Sequence, residues 1–197
     1  ITGGVDLTRR MNSAQVQGLT MPLVTKADGT KFGKTESGTI WLDAKKTSPY
    51  AFYQFWLSTA DADVYTFLKY FTFLSVSDID ALEQEDAERE GRPQAQKVLA
   101  QEVTRLVHSD VGLEAAERIT QAMFNGEESA LSESDLAQLS LDGLPSSAVA
   151  RAELPATLTQ LLTDAGMVTS GKQVKDALGR SAVLINGKPV SVEDNAN

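Results

Sequence analysis

The feature that most limits what this chain can fold into is Ser48-Pro49 and the long helical pattern behind it. Serine at an N-cap with proline at the first helical position is a strong helix start. Beyond it, apolar residues recur at helical spacing, as at Val64, Phe67 and Leu68. We therefore predict that residues 48–143 form an α-helical bundle.

Six helices are predicted in this bundle: Tyr50–Leu57, 61–71, 77–91, Gln94–Ser109, Gly112–Phe124 and a short one after the Ser132 cap. The aromatic side chains between Tyr50 and Phe73 are expected in the core. An acidic run is interpreted as a solvent-exposed face: Glu83, Glu85, Asp86, Glu88 and Glu90. His108 is interpreted as a favourable charge at a helix C-terminus rather than as half of a catalytic pair with Asp110.

The two regions that flank the predicted bundle have a different pattern, with fewer helices and with short strands and turns. Residues 1–47 are predicted to hold one short helix around 5–17, a short strand at 21–25 and a turn at Asp28-Gly29. This is too little to build a core, so the segment is expected to be the end of a larger domain. Residues 144–153 read as a linker.

The last segment, residues 154–197, is predicted to contain two helices followed by a strand at 181–185. Asn186-Gly187 is a strong two-residue hairpin signal, with Val190 on the return strand. Because a two-stranded hairpin alone is marginally stable in water, we expect this module to be the start of a larger one.

Charge is distributed unevenly along the chain. The overall net charge is −9. Residues 1–47 carry seven basic and four acidic side chains (+3), residues 48–143 six and eighteen (−12), and residues 144–192 five and three (+2). Local basic patches can bind polyanions on an acidic chain because salt screens charges beyond about 8–10 Å. Because residues 48–143 are acidic, we do not expect them to bind nucleic acid over a broad electrostatic surface.

Some classes of site are excluded by residue type and spacing. There are no cysteines and only one histidine, so thiolate and multi-histidine metal sites are excluded, and no metal site is predicted. Gly33-Lys34-Thr35 looks like the end of a P-loop, but only three residues separate Gly29 from Gly33, where that motif needs four. No apolar run reaches the roughly 18 residues that would span a membrane.

The residues after Asp28-Gly29 match a known signature. KFGKT at 31–35 resembles the second signature of class I aminoacyl-tRNA synthetases, usually written KMSKS, in the form typical of the bacterial tyrosyl branch. The resemblance continues through an ordered series: DLTRR (6–10), KADG (26–29), WLD (41–43), KTSPY (46–50), FYQFW (52–56), TADADV (59–64) and VTRLVH (103–108). It covers nearly the whole chain and identifies it as a C-terminal part of such an enzyme.

The resemblance implies an activity and site residues. The family activates tyrosine with ATP, accompanied by magnesium, and passes tyrosine to the 3′ end of its tRNA. By resemblance, Lys34 binds ATP and Lys31 stabilises the leaving pyrophosphate. Thr35 keeps the hydroxyl of the usual serine, and Gly33 contributes its backbone or its freedom. RNA contacts are expected in the terminal module, at Lys172, Lys175, Arg180 and Lys188.

The resemblance also implies a mainly α fold in three parts. Residues 1–47 would be the tail of a Rossmann-type α/β catalytic domain, 48–143 the helical domain on the anticodon side of the tRNA, and 154–197 the start of an αL-type RNA-binding domain. A cytoplasmic homodimer is implied for the whole protein, with no DNA or membrane partner. The 197-residue chain alone is predicted to be inactive. The alternative is a non-catalytic RNA-binding paralogue.

Overall fold

The computed structural model is mainly helical and divides into two compact units, Ile1–Thr39 and Ile40–Asn197. It describes residues 1–32, 39–147, 157–185 and 187–191. The helices are α1 (Thr2–Asn12), α2 (Pro49–Leu57), α3 (Asp61–Phe71), α4 (Val76–Glu88), α5 (Ala95–Asn125), a 3₁₀ turn (Glu128–Ala130), α6 (Glu133–Leu141), α7 (Leu158–Asp164) and α8 (Gly171–Gly179). The strands are β1 (Leu184–Ile185) and β2 (Lys188–Pro189). No helix within the described ranges is long and apolar enough to cross a membrane.

The first unit contains α1 and a short hairpin. Helix α1 begins and ends earlier than the predicted 5–17. Ser13 adopts the left-handed conformation (φ 51°) that terminates it. No residue of α1 is buried. The predicted strand at 21–25 is reduced to a single antiparallel bridge between Thr25 and Lys31.

In the second unit, helix α2 starts as the sequence predicts. The Ser48 hydroxyl accepts a hydrogen bond from the Ala51 N–H at 3.0 Å, and Pro49 occupies the first turn. A partner far along the chain completes this cap: the Ser48 hydroxyl donates to the Asp142 carboxylate at 2.5 Å, across a sequence separation of 94 residues. The end of α6 is thereby tied to the start of α2.

The bundle core forms where α2 and α3 pack against α5. Phe52, Trp56 and Phe67 are buried there, with Trp56 and Phe67 in edge-to-face contact at 6.3 Å between ring centroids. The expectation that the whole aromatic series is core was wrong at two positions. Tyr70, in the last turn of α3, is 58% exposed, and Phe73, after the end of that helix, is 91% exposed.

Helix α5 is interrupted inside its 31 residues. Ser109 has φ 64° and ψ 179°, so the backbone leaves helical geometry there, between the two segments that the sequence predicts as separate helices. Glycine at position 112 lets the chain resume close to the first segment, because a Cβ at that position would lie 2.6 Å from the Cβ of His108. The break therefore depends on a strained serine followed by a required glycine.

Ser109→Gly is expected to raise the free energy of unfolding of the helical bundle by about 1 kcal/mol. The Ser109 conformation is nearly exclusive to glycine and costs about 1–3 kcal/mol for other residues, partly offset by the greater freedom of glycine in the unfolded chain. Denaturant unfolding followed by circular dichroism measures the change. The matched control is Ser109→Ala, which keeps the Cβ; equal stabilisation by both variants would contradict strain as the cause.

His108 plays a different part from the one predicted. Burial lowers the pKa of its imidazole, which disfavours the charged form that a favourable interaction with a helix C-terminus needs. The ring packs edge-on against Phe52 at 4.8 Å between centroids. Asp110 is bound instead by Arg105, at 2.9 Å. Burial therefore speaks against the predicted role as a helix-dipole cation, and the observed contact of His108 is its packing on Phe52.

The terminal segment forms a small α/β cluster. Leu158, Val174 and Leu178 make its core, and Val183 and Val190, which flank the two strands, pack against it. The predicted hairpin is present: β1 pairs antiparallel with β2, with Leu184 opposite Pro189 and Ile185 opposite Lys188. Residues 148–156, which include most of the predicted linker, lie outside the described residues.

Candidate functional site

The hairpin around Lys31 is built by a tight turn. The Lys26 N–H donates to the Thr30 carbonyl at 2.9 Å, which leaves a loop of three residues. The Gly29 N–H donates back to the Lys26 carbonyl at 2.9 Å, and Gly29 has φ 81°. A three-residue loop that ends in a left-handed glycine is a common hairpin connection. The predicted Asp28-Gly29 turn is thus confirmed.

This turn sets where Lys31 lies. The Phe32 N–H donates to the Val24 carbonyl at 3.2 Å, and Lys31 stands opposite Thr25. Because side chains alternate along a strand, Lys31 and Thr25 share one face, and both are exposed. Val24 and Phe32 share the other face and are half-buried. Lys31 therefore presents its ammonium group to solvent. The other predicted catalytic and ATP-binding residues, Gly33, Lys34 and Thr35, lie outside the described residues.

A groove on the helical bundle was not predicted from the sequence. A cavity of about 660 Å³ is lined by the end of α2, the start of α3 and the residues that lead into α5. Its polar wall includes Asp61, whose carboxylate accepts a hydrogen bond from the Gln96 side-chain amide at 2.6 Å. Arg92 and Lys97 supply positive charge to the same wall. The site therefore combines hydrogen-bonding amide and carboxylate groups with two cations.

Asp86 organises the entry to α5 beside this groove. Its carboxylate accepts hydrogen bonds from the N–H groups of Gln94, at 2.7 Å, and Ala95, at 2.9 Å. The Tyr65 hydroxyl donates to it at 3.1 Å, and burial together with this bond raises the pKa of Tyr65 to about 12. The interpretation of Asp86 as part of a solvated acidic face was wrong, because it caps a helix that starts nine residues later.

Lys97 connects the groove to a second cavity. This cavity, of about 420 Å³, lies along the far half of α5 and is lined by Tyr53, Lys97, Glu117, Thr120, Gln121, Phe124 and Asn125. Phe124 is 87% exposed, so its ring is available for stacking. Lys97 lines both cavities and takes part in no ion pair of the described residues.

The predicted RNA-binding residues of the terminal module are all exposed. Helix α8 buries Val174 and Leu178, while Lys172 and Lys175, three residues apart, are exposed neighbours on its surface. Arg180 follows the helix, with its Nε donating to the Asp176 carbonyl at 3.1 Å. Lys188 lies on β2. The module therefore places two of the four cations on one helix face and the other two on the segments that follow it.

Comparison with known proteins identifies the family. The model of the class I tRNA synthetases (W and Y) matches residues 1–125. The chain belongs to this family of class I tRNA synthetases.

Two similar proteins are tyrosine–tRNA ligases. The tyrosine–tRNA ligase of Aliivibrio fischeri (strain MJ11) is 60% identical over 191 residues, covering 97% of this chain and 44% of that protein. The tyrosine–tRNA ligase of Pectobacterium carotovorum subsp. carotovorum (strain PC1) is 58% identical over 95% of this chain and 44% of its own length. The chain thus spans less than half the length of these relatives.

Two solved structures also resemble this chain. They are C-terminally truncated mitochondrial tyrosyl-tRNA synthetases of Aspergillus nidulans and Coccidioides posadasii, 34% and 38% identical. They cover 43% and 51% of this chain, and 25% and 26% of their own, with TM-scores of 0.41 and 0.43.

Proposed function

We propose that this chain is part of a tyrosine–tRNA ligase, which converts tyrosine and ATP to tyrosyl-adenylate and transfers the tyrosine to the 3′ end of its tRNA. The observation that carries the proposal is the 60% identity to one such ligase over 97% of the chain. The activity belongs to the whole protein, acting in the cytoplasm as a homodimer, with magnesium accompanying ATP. This chain contributes one catalytic loop and surfaces for the tRNA.

The catalytic contribution rests on two lysines. Negative charge develops on the pyrophosphate as tyrosine attacks the α-phosphorus of ATP, and ammonium groups directed at those oxygens lower the barrier. Lys31 supports this role because it is exposed at the end of a braced hairpin. Lys34 would hold ATP, Thr35 would offer a hydroxyl, and Gly33 would let the backbone approach the phosphates.

The remaining parts would bind tRNA. In this proposal residues 1–47 end a Rossmann-type catalytic domain, 48–143 form the anticodon-side helical domain, and 154–197 begin an αL-type domain joined by the 144–153 linker. The groove around Lys97 supports local RNA contact, since its amides and carboxylate can meet base edges while its cations meet phosphates. Four basic side chains of the terminal module would add phosphate contacts: Lys172, Lys175, Arg180 and Lys188.

Tyrosine-dependent ATP–pyrophosphate exchange tests the proposal. The protein expressed from the full reading frame is expected to catalyse exchange, and the 197-residue chain by itself is not. Binding of tyrosine tRNA by the full protein without any exchange would favour a non-catalytic RNA-binding paralogue instead. Exchange by the 197-residue chain would contradict the proposal that this chain supplies only one part of the catalytic site.

Lys97→Ala is expected to weaken binding of tyrosine tRNA to the full protein by about three- to tenfold, and to reduce the salt slope of binding by about one. The reason is that Lys97 lines both cavities of the bundle and takes part in no ion pair among the described residues. Filter binding at several salt concentrations measures both quantities. Lys69→Ala is the matched control, because it removes one charge that Asp80 already neutralises at 3.0 Å. Equal losses for the two variants would show that only net charge matters.

A further inference from the structure

The turn before Lys31 is held by a side chain as well as by the backbone. One carboxylate oxygen of Asp28 accepts two hydrogen bonds from Thr30, from its N–H at 2.8 Å and from its hydroxyl at 2.6 Å. The Lys26 carbonyl accepts the Gly29 N–H, and the Thr30 N–H is bound by the Asp28 carboxylate instead. Asp28 therefore satisfies a backbone donor that the three-residue loop leaves outside the ladder.

These hydrogen bonds occur together with one register of the hairpin. With Thr30 held by Asp28, its carbonyl faces the Lys26 N–H, and the next residue, Lys31, falls opposite Thr25. A slip of one residue would turn every side chain of the strand to the other face. Lys31 would then exchange its exposed position for the half-buried face that Phe32 now occupies.

The charge state of the Asp28 carboxylate favours its hydrogen bonds with Thr30. Its hydrogen bonds with Thr30 lower its pKa below the ordinary value, which favours the ionised form. Charged acceptors form stronger hydrogen bonds than neutral ones.

We propose that Asp28 is a positioning residue for the adenylation reaction: through Thr30 it sets the hairpin register that presents Lys31 on the exposed face. The proposal rests on the function proposed above for Lys31, and adds a residue that contacts neither ATP nor tyrosine. In this proposal Asp28 has no direct chemical role. It affects the rate only by determining where the Lys31 ammonium group lies.

The register is tested by NMR on the 197-residue chain, independently of any activity. Thr25 and Lys31 form a non-hydrogen-bonded pair whose Cα atoms lie about 4.5 Å apart, so their Hα protons are expected to give a strong Overhauser contact. Asp28→Ala should lose this contact. Asp28→Asn, freshly purified, should keep it because the amide oxygen accepts the same two bonds. An unchanged contact in Asp28→Ala would overturn the proposal.

Kinetics of the full protein test the consequence. Asp28→Ala is expected to lower kcat for ATP–pyrophosphate exchange about 10- to 100-fold, with the KM for tyrosine changed less than about twofold, since a displaced catalytic group costs rate. Asp28→Asn should recover most of the rate. In a Lys31→Ala background, Asp28→Ala should cost less than about twofold. An undiminished loss in that background would overturn the proposal.

The two failures are distinguishable. A wild-type full protein without tyrosine-dependent exchange would contradict the proposed function, whereas the Thr25–Lys31 contact would still decide whether Asp28 sets the register. Exchange in the wild type together with full activity in Asp28→Ala would contradict only the positioning role.

Discussion

Replacing Lys31 with alanine in the full protein is expected to lower the kcat of tyrosine-dependent ATP–pyrophosphate exchange by about 10²–10³-fold. A group that stabilises charge in the transition state contributes on this order, and its loss appears in kcat more than in the KM for tyrosine. Lys34→Ala is expected to fall in the same range, with a larger rise in the KM for ATP if that lysine holds the nucleotide. Lys31→Arg should retain an intermediate rate, because the charge is kept and its geometry is changed.

The control for this result is Lys45→Ala, which removes an exposed lysine of the same sequence region outside the hairpin. It should leave exchange within about twofold. If Lys31→Ala were as active as Lys45→Ala, Lys31 would be an ordinary surface residue, and the catalytic role of the loop would rest on Lys34 alone. Steady-state exchange at varied ATP and tyrosine concentrations separates these outcomes.

Arg118→Ala is expected to lower the free energy of unfolding of the helical bundle by about 3 kcal/mol at pH 7. The Arg118 guanidinium binds the Asp135 carboxylate through two bonds, at 2.7 and 3.0 Å, and the Asp135 side chain is fully buried. Removing the arginine leaves a buried carboxylate with only Ser132 as its partner, and an uncompensated buried charge costs several kcal/mol. Urea unfolding measures the loss.

The same pair predicts a dependence on pH. The Arg118 guanidinium and Ser132 lower the pKa of Asp135 to about 2, below its ordinary value of 3.8. A lowered folded-state pKa stabilises the fold above the unfolded value, and this contribution is lost as pH falls from about 4 towards 2. The difference between wild type and Arg118→Ala should therefore shrink over that window.

Arg105→Ala is the matched control for Arg118, since both arginines lie on α5 and pair with carboxylates. The partners of Arg105, Glu102 and Asp110, are partly or largely exposed, so their ion pairs contribute at most about 1 kcal/mol. An equal loss for Arg105→Ala and Arg118→Ala would show that burial of the partner carboxylate does not decide the effect.

Local signals in the sequence were sufficient where neighbours along the chain decide the structure. Ser48-Pro49 started a helix, and Asp28-Gly29 made a turn, because each signal acts within four residues. The family signature includes Lys31, and the hairpin explains why that lysine is exposed to solvent. These parts of the fold and of the candidate site follow from short-range chemistry.

Features made by distant residues could not be predicted in this way. Helical periodicity places Phe73 among apolar neighbours but does not say which faces another helix covers, and Phe73 is exposed. Asp86 belongs to an acidic run of the sequence, and only its contact with the start of α5 in the folded chain distinguishes it from its exposed neighbours. The groove around Lys97 joins segments from three helices, so no single stretch of sequence contains its pattern.

The hydrogen bond between Ser48 and Asp142 has a consequence for how the bundle assembles. The first cap of the bundle is complete only when its last helix has been made, because 94 residues separate the two partners. During synthesis on the ribosome, the hydrogen bond from Ser48 at the start of α2 can form only after Asp142 has emerged. Distant pairings of this kind slow folding and close the structure as one cooperative event, so the bundle is expected to unfold in a single transition.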